Sequence, residues 1–331
     1  MRLGVLINGR ADGGRMASAW RDLAGPWPLR VTSDISALRR ALGELLAVEG
    51  VNVLALAGGD GTVHHACNVL FALQAEAERL GVAAPLPRLL LLRGGTMNIL
   101  ARATGHQVAP ARSLARFARA LDGAPWSAVP AQRLGSLAVT GGWGRRHGFV
   151  FGSEVVYHAI ALYDGFGAGY GGLTRFLFEL ARGALVGSDL WRRERWRLGP
   201  FGHPLTLTGP DGRGRVWPDY TAVVATTTDL TLATGAIAAI RRPQHADGFH
   251  ARVVAVVDAK ELVAMVPALL AGAEHRAVHD APQAQRLDLW GPCTLDGELI
   301  DDPGAAGRGP VVVEPGPRLH VVPAELGATR F

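Results

Sequence analysis

Two glycine-bearing segments, Gly58-Gly59-Asp60-Gly61-Thr62 and Gly94-Gly95-Thr96-Met97-Asn98, each follow directly on a short apolar run, and this leaves few folds open to the chain. The runs, Val51 to Ala57 and Leu89 to Leu92, are almost wholly apolar, as suits parallel strands buried on both faces. Glycines at the carboxyl end of such a strand let backbone N–H groups approach an anion with no Cβ in the way, and a helix start just beyond adds partial positive charge. Thr62 and Thr96 supply hydroxyls there, and Asp60 a carboxylate suited to Mg2+ or to a sugar hydroxyl. One Gly-Gly pair alone reads equally well as a tight turn between packed elements. Two pairs with an acid and two threonines favour phosphate binding.

Strands and helices alternate as far as residue 128. Strand Leu3 to Ile7 is followed by helix Ile35 to Val48 behind a Ser33 or Asp34 cap, strand Val51 to Ala57, helix His64 to Leu80, strand Leu89 to Leu92, and helices Met97 to Thr104 and Ala111 to Leu121. This order predicts a parallel α/β sheet, in which ligands sit at the carboxyl ends of the strands. From residue 129 the pattern turns to short β-like runs: Leu134 to Thr140, Arg146 to Val156, Trp191 to Leu198, Pro204 to Leu207, Ala222 to Thr227, Arg252 to Val257, Arg286 to Leu289 and Val311 to Val313. Helices interrupt near Val156 to Leu162, Leu173 to Val186 and Lys260 to Ala273. Such runs, separated by Gly and Pro, favour an antiparallel sandwich. The expected fold class is α/β: a Rossmann-like, parallel-sheet nucleotide-binding domain over residues 1–128, then a β-rich sandwich domain over 129–323.

Composition narrows the chemistry. At 331 residues and 48% hydrophobic, the chain can bury one large core or two moderate ones, and two domains are the expectation. Lys260 is the only lysine, so a P-loop, which needs a lysine after its glycine-rich turn, is excluded. The net charge of +5 rests on arginine, compatible with anionic membranes, nucleotides or nucleic acid, and no nucleic-acid motif is present. Cys67 and Cys293 are too few and too far apart for a disulfide framework or a zinc site; they read as core thiols in a reducing compartment. Met1 to Asn8 is too short for a signal peptide and reads as a first strand. The longest apolar stretches are broken by Glu154 and His158 or by Pro267, so any membrane contact is expected to be peripheral.

Gly-Gly-Asp-Gly-Thr, then Gly-Thr-x-Asn, then Leu295-Asp296-Gly297-Glu298 near the end resemble the diacylglycerol kinase and sphingosine kinase type of lipid kinase, including its bacterial members. The likeness runs in order along most of the chain, from a first strand with Asn8 to Ala246-Asp247-Gly248 before a late strand. It implies the same two-domain plan with a cleft between the domains, and a tail, Ala324 to Phe331, returning to the first. It also implies ATP as donor, Mg2+ as cofactor, a lipid acceptor at the inner face of the membrane, cytoplasmic location and a place in phospholipid metabolism. On the matching positions, Asn8, Gly58, Gly59, Gly61, Thr62, Gly95, Thr96 and Asn98 would hold the nucleotide. Asp60 would position Mg2+-nucleotide, Glu298 would accept the acceptor's proton, and Asp296 would assist. Asp247, with the carbonyls of Gln244 and Phe249, would hold a structural Mg2+. Taken alone, Asp296-Gly297 reads as an ordinary hairpin turn, as Asp247-Gly248 reads as a turn before a strand; only the order of the motifs favours the site.

The chain departs from the family near the chemistry. His64-His65 stand where the family often has Asn-Glu, Ile99 where it has Asp, and no acid lies in Ala128 to Arg133. His64 and His65 read as solvated helix residues, with phosphate contact as the alternative. An amphipathic stretch, Leu173 to Arg182, and the tryptophan-arginine mixture Trp191 to Arg197 suit a membrane interface. The plainer readings are a helix packed on a sheet and a half-buried strand. The expected function is an ATP-dependent lipid kinase acting on a diacylglycerol-like or sphingoid hydroxyl. A NAD kinase-like enzyme and an inactive nucleotide- or lipid-binding relative are the alternatives.

Overall fold

A computed structural model describes residues 1–10, 27–95, 98–106, 114–117, 119, 125, 128–167, 169–232, 237–240, 247–300 and 310–324. The chain divides into two compact units: Met1–Leu134 with Pro317–Phe331, and Gly135–Gly316.

The first unit opens with β1 (Leu3–Asn8) and β2 (Leu29–Thr32). Helix α1 (Ile35–Gly43) follows, closed by a π-helical turn over Glu44–Val48, and Asp34 accepts the Ala37 amide at 2.8 Å as its cap. Then come β3 (Val53–Gly58), α2 (Asp60–Arg79), β4 (Arg88–Arg93) and α3 (Ile99–Ala103). β1 pairs in parallel with both β2 and β3, and β3 with β4, giving the order β2-β1-β3-β4. The chain therefore leaves β1 to one side for β2 and returns on the other for β3. At such a reversal the connections diverge and open a crevice beyond the strand ends, where α/β sheets bind ligands. Side chains alternate across the sheet: Leu3, Val5, Ile7, Val53, Ala55, Leu90 and Leu92 share one core with Leu114 and Phe117, while Leu54 and Leu56 are buried without belonging to that cluster. Of the helix expected over 111–121, residues 114–117 and 119 are described, and they are helical. His106, held below its ordinary pKa by burial, lies 2.8 Å through Nε2 from the Val322 carbonyl and ties in the returning chain.

The second unit is a β-sandwich. In chain order its strands are β5 (Gln132–Gly141), β6 (Gly144–Gly148), β7 (Val150–Glu154), β8 (Leu205–Thr208), β9 (Gly214–Trp217) and β10 (Ala222–Thr226). β11 (Leu230–Leu232) and β12 (Ile237–Ile240) make a separate two-stranded ribbon. The remaining strands are β13 (Phe249–Val254), β14 (Val278–Ala284), β15 (Arg286–Leu289), β16 (Cys293–Leu295), β17 (Glu298–Ile300) and β18 (Val311–Val321). One antiparallel sheet runs β14-β13-β10-β7-β16-β17. Opposite it, β18, β15, β8 and β9 pair in turn, with β5 on β18 and β6 on β5. Phe151, Val223, Ala225, Ala251 and Val253 of the first sheet interlock with Leu137, Leu205, Leu207, Leu287 and Val313 of the second, the alternating inward face that a sandwich requires. The intervening residues Ala222 and Val254 pack instead against a helical layer. That layer is α4 (Val155–Tyr163), α5 (Gly169–Val186), α6 (Asp189–Glu194) and α7 (Ala259–Leu270).

The expected strand over Trp191 to Leu198 is helical instead: α6 followed by a 3-10 turn over Arg195–Leu198. Ser188 caps it, its Oγ accepting the Trp191 amide at 3.3 Å, and Trp191 and Leu198, two helical turns apart, are its buried residues. Strand β14 escaped the sequence reading because it is a polar sheet edge containing Pro282, and a proline inside a run argues against a strand unless that strand lies at an edge.

Candidate active site

The two glycine turns of the first unit touch. A Cβ on Gly59 would lie 3.2 Å from the Gly95 Cα, and one on Gly95 would overlap the Gly59 Cα. Backbone packing thus requires glycine at 95, while a side chain at 59 would press on the neighbouring turn. Gly59 is also the N-cap of α2 and brings no side chain to it, so the leading amides of that helix receive no side-chain cap from it, though its carbonyl accepts the Thr62 amide at 3.0 Å.

Asp60 bridges the turns. Its Oδ2 accepts the Ile99 amide at 3.1 Å and its Oδ1 the Leu100 amide at 3.2 Å, so the acid of the first motif caps the helix of the second. Asn98 shapes the second turn: in the left-handed region at φ 51°, its Oδ1 accepts the amides of Gly94 (3.0 Å) and Gly95 (2.9 Å), and its Nδ2 donates to the Gly95 carbonyl. Asparagine is among the few residues that tolerate this conformation. Asn8, at the carboxyl end of β1, donates through Nδ2 to Thr62 Oγ1 at 2.9 Å, and the Thr62 side chain fills the space a Cβ on Gly58 would take. Since Thr62 accepts in that bond, its own proton remains for another acceptor. Asn8, Gly58, Gly59, Asp60, Gly61, Thr62, Gly95 and Asn98 thus lie at the two turns and the β1 end beside them. Thr96 lies outside the described residues.

His64 is not a solvated helix residue. It is buried on the core-facing side of α2 with Val63 and Cys67, its ring 5.1 Å from that of His65, which is half-buried. Cys67 and Cys293 are both buried, as core thiols are, and burial pushes the Cys293 thiol up to about 12.

In the second unit Asp296 and Gly297, both at positive φ (54° and 87°), turn β16 into β17, the hairpin that Asp-Gly favours. Asp296 also accepts the amides of Phe149 and Val150 through Oδ1, each at 2.8 Å, while its own amide donates to the Val150 carbonyl at 2.7 Å. The hairpin is thereby pinned to the start of β7. Glu298 follows, exposed, at the first position of β17. Asp247 is exposed just before β13, and Phe249 is buried in that strand opposite Ala284; Gln244 lies outside the described residues. One acid was not anticipated as more than a break in an apolar run. Glu154 ends β7 fully buried at φ 57°, its Oε1 2.5 Å from His203 Nδ1. Its isolation in an apolar stretch was the available signal, since a buried carboxylate needs a partner.

Among the described residues no cluster of three or more His, Cys, Asp or Glu is placed to hold a metal ion.

Residues 2–122 match the profile of the diacylglycerol kinase catalytic domain. That segment, a little over a third of the chain, is similar to the diacylglycerol kinase catalytic domain. It includes both glycine turns and Asn8. Among curated proteins nothing matches the chain. Solved structures similar to it include two of a candidate diacylglycerol kinase from Bacillus anthracis str. Sterne, both 14% identical over 97% of this chain, with TM-scores of 0.62 and 0.64 and covering 95% and 97% of those chains. Another, a diacylglycerol kinase from the same organism, is 12% identical with a TM-score of 0.58, covering 97% of this chain and 96% of that one. The likeness extends the shared fold across both units of the chain, and the catalytic-domain match lies within the first.

Proposed function

We propose that the protein is an ATP-dependent lipid kinase that transfers the γ-phosphate to the hydroxyl of a diacylglycerol-like or sphingoid lipid. The observation that carries this reading is the Gly59–Gly95 backbone contact beside the α2 N-terminus, within the segment of diacylglycerol kinase type. A side-chainless N-cap next to a second glycine turn is a surface on which phosphate oxygens approach backbone amides closely. Gly61 and the Thr62 hydroxyl would add donors, and Thr96 would serve from the second turn. Asp60 would do two things, holding α3 in place and presenting a carboxylate toward the Mg2+-nucleotide. Bound Mg2+ would supply neutralisation of phosphate charge.

Glu298 is assigned as the base that takes the proton of the acceptor hydroxyl, with its exposure leaving the carboxylate open to substrate. Asp296 would position it by fixing the hairpin through Phe149 and Val150. Asp247 with the carbonyls of Gln244 and Phe249 remains the proposed structural Mg2+ site. A second reading is a nucleotide- or lipid-binding relative without catalysis. It is favoured by the commitment of Asp60 and Asp296 to backbone amides and by Ile99 in place of an acid.

Transfer of labelled γ-phosphate from ATP into a total lipid extract in mixed micelles, native protein against Glu298→Gln, separates the two. Loss of a general base lowers turnover by about 10² to 10⁴, so a labelled lipid formed by the native protein and nearly absent with the variant supports the kinase. No labelled lipid from a native protein that binds ATP refutes it.

A further inference from the structure

The solvent face of α5 is unlike that of an ordinary surface helix. Its exposed positions recur at helical spacing: Gly171, Thr174, Arg175, Phe178, Ala181, Arg182, Leu185 and Val186. Phe178 is 63% exposed, Leu185 86% and Val186 71%, and the acid bordering this face, half-buried Glu179, is paired with Arg182 at 2.8 Å. The opposite face is occupied, with Phe176 and Leu180 buried in the helical layer's core. The bulky side chains in water are therefore not the residue of a poorly packed helix. The pattern continues beyond the turn at Gly187, where Arg192, Arg193, Arg195 and Trp196 (59% exposed) follow on α6 and its 3-10 extension. The Arg197 guanidinium lies 5.0 Å over the Trp196 ring. From Gly171 to Arg197 the charged residues are six arginines and three acids, Glu179, Asp189 and Glu194, which pair with Arg182, Arg192 and Arg197.

We infer that α5 and α6 form the surface by which the protein docks on an anionic lipid bilayer, with Phe178, Leu185, Val186 and Trp196 entering the headgroup region and the arginines meeting lipid phosphates. The inference rests on the lipid kinase reading in one respect only, that a water-insoluble acceptor must be reached at a bilayer. The choice of a membrane over a protein partner rests on the charge. Six arginines against three acids, each acid paired with an arginine, leave a net positive surface that complements an anionic sheet, and apolar side chains interspersed with arginine and tryptophan are the make-up of helices that lie in the interface. No helix among the described residues is long and apolar enough to span the bilayer, which leaves surface docking as the route these helices offer.

The test is co-sedimentation of the whole protein, without nucleotide or acceptor, with vesicles of phosphatidylcholine alone and of phosphatidylcholine doped with phosphatidylglycerol. Binding is expected only with the anionic vesicles and is expected to fall with added salt. Each arginine at an anionic surface contributes about five-fold to binding, so Arg192→Gln with Arg193→Gln and Arg195→Gln should weaken it by roughly a hundred-fold. Leu185→Ser with Val186→Ser should weaken it about ten-fold or more. These positions are exposed, so the variants keep the native circular dichroism. The inference is overturned if the native protein ignores anionic vesicles, if both variants bind as it does, or if the leucine and valine changes instead dissociate an oligomer in gel filtration. A protein that phosphorylates lipid in detergent micelles without binding vesicles overturns the docking surface alone. One that binds vesicles but phosphorylates no lipid overturns the kinase reading alone.

Discussion

Replacing Asp60 by asparagine tests the bridge between the glycine turns at its narrowest point. The side chain keeps its shape, but one of the two oxygens that accept the Ile99 and Leu100 amides becomes an NH2 group facing an N–H donor. One charge-assisted hydrogen bond is lost, and such bonds contribute about 1.5 to 3 kcal/mol. Asp60 is half-buried, so the lower end applies, about 1.5 kcal/mol, slightly more than a ten-fold change in a local opening equilibrium. Hydrogen exchange by mass spectrometry on the peptide spanning residues 98–106 reads this directly. The Ile99 and Leu100 amides should exchange about ten-fold faster in Asp60→Asn, while peptides from β7 and β13 are unchanged. Asp60→Ala, which removes both acceptors, should cost about 2 kcal/mol, the upper range for a lost helix cap. Unaltered exchange at Ile99 and Leu100 in both variants would refute the bridge and return Asp60 to a role confined to ligand binding.

Gly95→Ala places a methyl group onto the Gly59 Cα; the turns must separate, and nucleotide-induced thermal stabilisation of the protein should vanish, as a differential scanning measurement would show. Asp296→Ala leaves the Phe149 and Val150 amides without their acceptor and should destabilise the second unit by about 2 to 3 kcal/mol, read by urea unfolding. His158 gives an acid-sensitive contribution. Burial, reinforced by the nearby Arg197 charge, brings its folded pKa down to about 4 from 6.5. The unfolded chain therefore binds the proton first, and the stability present above pH 6.5 is lost as pH falls toward 4. With the ring only partly shielded from water, that loss should be about 1 to 2 kcal/mol after allowance for screening. His158→Phe should flatten stability over that window in urea titrations at successive pH values, and an unchanged slope would rule the ring out as the cause.

The sequence alone determined the parallel strands, the sandwich and the glycine turns, for a shared physical reason: each is written in neighbouring residues. A run such as Val53 to Ala57 has only one environment that suits it, the middle of a sheet, and Asp296-Gly297 has backbone preferences that few other pairs match. The helix at Trp191 to Leu198 was misread because a tryptophan-arginine mixture carries no clear period, and its capping by Ser188 emerges only once Trp191 has a core to enter. For α5 the sequence showed an amphipathic stretch from Leu173 to Arg182 but left its surroundings open, since a helical wheel shows two faces but not which one the protein covers. Above all, the partners of Asp60 stand 39 and 40 residues further along. Sequence could say that Asp60 and Gly95 occupy the carboxyl edge of one sheet. Only the pairing of β3 with β4, which brings their ends side by side, decided that the acid of one turn caps the helix of the other and that Gly95 must be glycine for the backbones to meet.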